Sequence, residues 1–333
     1  MLSPRKDEET FVKWLLSEAI YYVNKGHPAH SPKAHAWASK TRLHKIIFAV
    51  ADKFELPVTR SWYMWGGFVH SDYLDSPRFS TLCEAYSRNP SRTLALRNQI
   101  KKSGFPVDDL LATMETWVDM VRLQPSRDFL LGYYKEEPPE QYRGIYLVKQ
   151  EITNYLEDIG KEQDIGVLTD RSNKLSKCIN RFFENSSNFD DERLQESTFV
   201  YSEILENSLD KLSFINERRG RISKQKFSFF DASKHIFDTY VWNPYACEIS
   251  ENTIKTEDSS RETLERQKMI NHQEKLTRDA AKRFAFLRAE AQKRGLGFSF
   301  EELEEYKKTF LTNQKASKVL TEAIGIYSRA KER

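Results

Sequence analysis

Apolar residues recur at spacings of three and four along most of this chain, and that helical period narrows its fold more than any other feature. Phe11, Trp14, Leu15, Ala19 and Tyr22 form one such stripe, with Ser3 placed to cap the helix and Pro4 at its first position. Leu43, Ile46, Ile47, Val50 and Phe54 form a second, capped by Ser39 and ended at Leu56-Pro57. Further stripes run through Val107, Leu110, Leu111, Met114, Trp117, Val118 and Val121, and through Ile145, Val148, Ile152, Tyr155, Leu156 and Ile159. Two more follow, through Leu175, Ile179, Phe182 and Phe183 and through Leu194, Ile204, Leu205, Leu209 and Leu212. Only 12 Gly and 11 Pro punctuate the chain, too few for the many turns of a β-sandwich. The expected fold class is mainly α: a multi-helix N-terminal domain with a small extended element, a central helical domain and a C-terminal helical hairpin.

The breaks in the pattern suggest the boundaries. Lys135-Glu136-Glu137-Pro138-Pro139 divides residues 1–137 from a central unit, 138–242. The polar stretch NPYACEISENTIKTEDSS, residues 243–260, reads as a linker. Residues 261–333 read as two helices joined at Gly295-Leu296-Gly297, the second opened by a Ser299–Glu302 capping box. In the first domain, Thr81–Glu84 fits another capping box, and Ser91–Lys102 a helix stopped at Gly104. The Pro-broken segment GHPAHSPKAHA reads as a loop. Val58–Val69 is rich in aromatic and β-branched residues and is the expected extended element, interrupted at Gly66-Gly67.

A length of 333 residues accommodates two or three cores. With 39% hydrophobic and 30% charged residues, and a mean hydropathy of −0.67, the chain reads as a polar globular protein. The net charge of +3 permits an anionic partner without requiring one. Cys83, Cys178 and Cys247 are isolated, with neither disulfide nor zinc spacing, which suits a reducing compartment. The charged start MLSPRKDEETF lacks the apolar core of a signal peptide, and no apolar run reaches the ~20 residues of a membrane span. A cytoplasmic protein without a membrane partner is expected.

No catalytic motif is present: no Walker loop, no GxGxxG, no HExxH and no nucleophile elbow. His27, His30 and His35 invite a metal reading, but two prolines divide them and no cysteine or carboxylate cluster joins them, so neither metal nor cofactor is expected. His44 and His70 flank the stretch SWYMWGGF, with only Ser61, Ser71 and Cys83 near in sequence as nucleophiles. The expectation is a non-enzyme. In SWYMWGGF one alternating pair, Trp62 and Met64 or Tyr63 and Trp65, faces a core and the other faces out. Tyr63, Trp65, Phe68 and His70 are the expected anchors for a protein partner. Two basic features suit nucleic acid. Arg218, Arg219, Arg221, Lys224 and Lys226 lie beside Phe227, Phe229 and Phe230. Arg261, Lys268, Lys275 and Lys282 recur every seven residues, so they share one helix face, drifting about 20° per step.

Arg42-Leu43-His44-Lys45-Ile46-Ile47-Phe48, the turn Leu56-Pro57-Val58, and Trp62-Tyr63-Met64-Trp65-Gly66-Gly67-Phe68-Val69 followed by Tyr73 resemble, in order and spacing, the SocA-like or Panacea antitoxin domain. That family shows a KLxKLLYF helix and then a W-x-Y-G-P segment; here Gly66-Gly67 stands where the family has Gly-Pro. The likeness covers roughly residues 8–125. It implies a mainly helical domain with a small extended element, and recognition of another protein, a toxin or a protease client, without catalysis. The function expected is therefore an antitoxin-like or adaptor-like interaction protein of a toxin–antitoxin or phage-defence system, with a nucleic-acid-binding regulator as the alternative.

Overall fold

The computed structural model describes residues 4–25, 40–71, 74, 90–102, 104–123, 126–161, 165–217 and 224–306. These are helical apart from one small hairpin, as the apolar period predicts. In the first part, α1 (Pro4–Lys25) packs against α2 (Lys40–Lys53), α3 (Pro90–Lys102) and α4 (Val107–Leu123). Pro4 stands at the first helical position, and Gly104, at φ +84°, stops α3. The hairpin β1 (Arg60–Tyr63) and β2 (Gly66–Val69) pairs antiparallel, with Trp62 opposite Gly67 and Tyr63 opposite Gly66. Its turn is Met64-Trp65, so Gly66 and Gly67 belong to the second strand and do not interrupt the element.

Next come α5 (Ser126–Glu136), α6 (Glu140–Lys161), α7 (Ile165–Ser186), α8 (Glu192–Glu217) and α9 (Lys224–Ile236). A π-helix, Phe237–Trp242, leads directly into α10 (Asn243–Thr253). Pro244 explains the wide turn: it has no N–H for the carbonyl of Tyr240, and its ring crowds that carbonyl, so the turn before it opens. The chain continues through α11 (Ser259–Lys293) and the short α12 (Phe300–Tyr306). Ser299 and Glu302 form the expected capping box, each bonding the other's backbone N–H.

The stretch 243–260 is not the expected linker. Tyr245, Ala246, Cys247 and Ile249 of α10 are buried, and the helix packs on both β1 and α11. Three of its polar residues, Asn243, Ser250 and Thr253, face inward as well, as hydrogen-bond partners of the hairpin. One continuous apolar core runs from Phe11 to Leu296, across the positions expected to divide the chain. α6 lies at its centre, packed on α5, α7 and α9.

Candidate functional site

The aromatic corner is held from all sides. Trp62 packs edge-on against Phe48 and Tyr146, at ring-centroid distances of 5.1 and 5.9 Å. The Trp62 N–H donates to Thr253 Oγ1 (2.9 Å), and the Gly67 N–H to Tyr133 Oη (3.1 Å). At the tip, Tyr146 Oη donates to the Tyr63 carbonyl and Trp242 Nε1 to the Met64 carbonyl, each at 2.7 Å. Arg60 exchanges both backbone hydrogen bonds with Lys255. The polar backbone of a two-stranded sheet, exposed on its own, is thus satisfied by α5, α6, the π-helix and the chain around α10.

This setting relocates the expected partner anchors. Tyr63 is half-buried and donates to Asn243 Oδ1 (3.1 Å). Trp65 is half-buried, its ring face covered by Lys149 Nζ at 3.8 Å from the centroid. Phe68 stacks on His44, 4.5 Å between centroids. His70 is buried. The corner is chiefly a plug of the core, and His70 is no surface anchor.

His70 instead forms a relay that sequence spacing did not disclose. Ser61 Oγ lies 2.8 Å from His70 Nε2, and His70 Nδ1 lies 3.1 Å from Glu265 Oε2. Glu265 is 195 residues from His70 along the chain, so no local motif announces it. Burial would raise the Glu265 carboxyl, but hydrogen bonds from His70 and Lys268 pull it down to about 2. The arrangement has the order of a Ser-His-Glu triad. Its serine has no exposed surface and is also bonded to Ser250 Oγ (2.7 Å), so nothing reaches its Oγ from solvent. The relay ties β1, the residue following β2, α10 and α11 together. Beside it opens a cleft of about 240 Å³ lined by Glu8, His70, Ser71, Arg261, Leu264 and Glu265, among others.

Two lysines lie wholly inside the fold. Lys45, on α2, sits over the Tyr133 ring at 4.4 Å. Lys149, on α6, sits over Trp65 and lies 3.4 Å from Asp238 of the π-helix, a contact longer than a charge-assisted hydrogen bond. Asp238 also accepts from Thr153 (3.3 Å) and Lys234 (3.2 Å). Burial pulls Lys45 well below the usual lysine range, with the charge of Lys149 adding to it. Burial lowers Lys149 to about 8, against the pull of Asp238. Neither Nζ, nor Tyr134 Oη, has a hydrogen-bond partner.

The basic features divide. Arg218, Arg219 and Arg221 lie outside the described residues, as do His27, His30, His35 and Cys83; Lys224 and Lys226 lie in the first turn of α9. On α11, Arg261 is drawn inward, pairing with Glu8 (2.7 Å) and donating to the His70 carbonyl (2.6 Å). Lys268 pairs with Glu265 at 2.7 Å. Lys275 and Lys282 are exposed as expected, and Arg278 joins them on the outward face. That face also carries Leu264 and Phe286, 54% and 52% exposed. Cys178 and Cys247 are buried free thiols, both pushed up by burial to about 12, which makes them inert. Among the described residues no group of His, Cys, Asp or Glu is placed to hold a metal ion, and no helix is long and apolar enough to cross a membrane.

Comparison with protein-family models gives no match, and comparisons with curated proteins and with solved structures give none at the level required.

Proposed function

We propose that this chain is a non-enzymatic protein-interaction module, antitoxin-like or adaptor-like, whose docking face is the outward side of α11. The observation that carries the reading is the pairing of Leu264 and Phe286 on that side. They are 22 residues apart, about 33 Å along the axis, and only about 40° apart around it. Large apolar side chains left half in water at both ends of one helix face, with Lys275, Arg278 and Lys282 between them, suit an elongated acidic surface of another protein. The Panacea resemblance points to the same class of activity. The hairpin acts as internal support for this helix through the His70–Glu265 contact.

The test uses the full chain and a Leu264→Ser, Phe286→Ser double variant. Tagged wild-type protein is used to recover partners from its host, with and without nuclease. A discrete protein that survives nuclease and is lost with the double variant, while the variant keeps its thermal midpoint, supports the reading. Equal recovery by both proteins removes α11 as the docking face.

The same face supports a second reading, a nucleic-acid contact. Lys275, Arg278 and Lys282 make no ion pair among the described residues, and Phe286 offers a ring for stacking. Each phosphate contact contributes about one unit to the salt slope of binding. Lys275→Glu with Lys282→Glu would then lower that slope by about two. An unchanged slope excludes the face.

A further inference from the structure

The cleft between α1 and the start of α11 has a charge balance of its own. Among the described residues its wall carries four carboxylates, Glu8, Glu9, Asp258 and Glu265, against two cations, Arg261 and Lys268. Both cations are already committed, Arg261 to Glu8 and the His70 carbonyl, Lys268 to Glu265. Glu8 and Glu265 are the buried carboxylates, and these two pairings neutralise them. That leaves Glu9 and Asp258, both half-buried. Glu9 lies 3.8 Å from Lys13, one turn further along α1. Asp258 caps α11 through Oδ1, accepting from the N–H groups of Ser260 and Arg261, and makes no ion pair among the described residues. The start of a helix offers only about half a positive charge, so the cleft stays negative. Leu264, 54% exposed, lines the same cleft and is also one end of the outward face of α11. A volume of about 240 Å³ is below the ~300–1,000 Å³ of sites that enclose whole small molecules, and it has room for one long side chain. An apolar stem laid along Leu264 and a cationic head turned to Glu9 and Asp258 describe lysine or arginine.

We propose that this cleft receives a lysine or arginine side chain of the partner protein docked on α11. This rests on α11 being the docking face, and it gives the docked partner a direction. Lys275, Arg278 and Lys282 lie 11 to 18 residues beyond Leu264, about 16 to 27 Å along the axis. The face is acidic at the start of α11 and basic further along. A complementary partner therefore sets a basic anchor in the cleft and acidic residues over the three cations. A phosphate backbone has no group that the cleft would accept.

The experiment has two arms on the full-length protein at low salt. In the first, Nα-acetyl-lysine amide is titrated while the backbone amide signals of Ser260, Arg261 and Leu264 are followed by NMR. The norleucine amide, with the same stem and no charge, is the control. The lysine probe should give saturable shifts and the norleucine probe none. In the second arm the probe is an acetylated peptide with one lysine joined to three glutamates by six glycine and serine residues, a span of about 20 Å when extended. Norleucine in place of its lysine should weaken binding about tenfold. The Glu9→Gln, Asp258→Asn double variant, in which asparagine keeps the helix cap, should bind the two peptides alike. Absent shifts, equal shifts from the two amides, or a lysine preference that survives in the double variant each overturns the site. The docking face fails separately: if Lys275→Glu with Lys282→Glu leaves the peptide affinity unchanged while the lysine preference persists, the cleft stands without the face.

Discussion

Single residues decide how this molecule answers to pH. Lys149 has a folded-state value of about 8, below the ordinary lysine value of 10.5. Between those two values the unfolded chain binds the proton and the folded chain does not, so stability rises with pH. Lys45, also lowered, acts in the same direction. Above about 10 the buried tyrosines reverse the trend, because burial raises Tyr134, Tyr146 and Tyr201, and the unfolded chain then loses protons first. The expected result is a stability that climbs from pH 8 to about 9, above which the buried thiols Cys178 and Cys247, raised to about 12, offset the gain; Lys149 alone is able to contribute on the order of 3 kcal/mol over its full window. Denaturant midpoints for wild type and Lys149→Met check this; equal slopes in the two would show that Lys149 titrates normally. On the acid side His44 acts against Glu206, which burial raises to about 7, and together with Glu265, which is held at about 2. Burial and then the charges of Lys40 and Lys45 lower His44 to about 3, while its Nδ1 accepts from the Val69 N–H. A lowered histidine leaves the unfolded chain holding more protons below 6.5, so the His44 contribution to stability falls from there toward pH 3. His44→Gln should flatten that limb.

At the level of elements, the amphipathic helices were readable because their burial depends on period alone, and α2, α4, α6 and α8 bury most of the residues their stripes name, with Phe54, Trp117 and Tyr155 half-buried at the edges. α10 was not readable, for a physical reason. Asn243, Ser250 and Thr253 give it the composition of a linker, yet each spends its polar group on the hairpin: Asn243 on Tyr63, Ser250 on Ser61, Thr253 on Trp62. Polar residues satisfied by distant backbone and hydroxyls look the same in sequence as polar residues facing water. The candidate site shows the same asymmetry. Lys149 lies on the apolar stripe of α6, a local sign of an unusual lysine, while Glu265 and Asp238 come from far along the chain and leave no sign. Ile249→Ala therefore separates the two views of α10. A buried helix predicts a loss of about 2–5 kcal/mol in chemical unfolding, where a linker would lose almost nothing. Gly67 tests the hairpin likewise. A Cβ there would overlap the Phe48 ring and come within 2.8 Å of Tyr133 Oη, so Gly67→Ala should cost about 1–3 kcal/mol through overpacking.

For the whole molecule, the question is whether the N-terminal third can exist apart from the rest. The resemblance that marks residues 8–125 treats that stretch as a domain. The packing argues otherwise. Beyond the bonds from Gly67 to Tyr133 and from Val69 to His44, the hairpin's hydrogen bonds reach Tyr146, Trp242, Thr253 and Lys255, all past residue 137. The Ser61–His70 contact is completed by Ser250 and Glu265. α1 is tied to the far end of the chain, where Glu8 accepts from Arg261. Cutting at 137 would expose Trp62 and strip most of the outside partners from the hairpin's backbone, leaving a two-stranded sheet with little to hold it. A fragment of residues 1–137 should accordingly show helical circular dichroism without a cooperative melt, and a red-shifted tryptophan emission. Adding residues 138–333 in trans should restore both signals if the missing ingredient is the interface. A 1–137 fragment that melts cooperatively with native-like emission would mean that α1–α5 and the hairpin satisfy themselves, and the chain would then consist of separable domains after all.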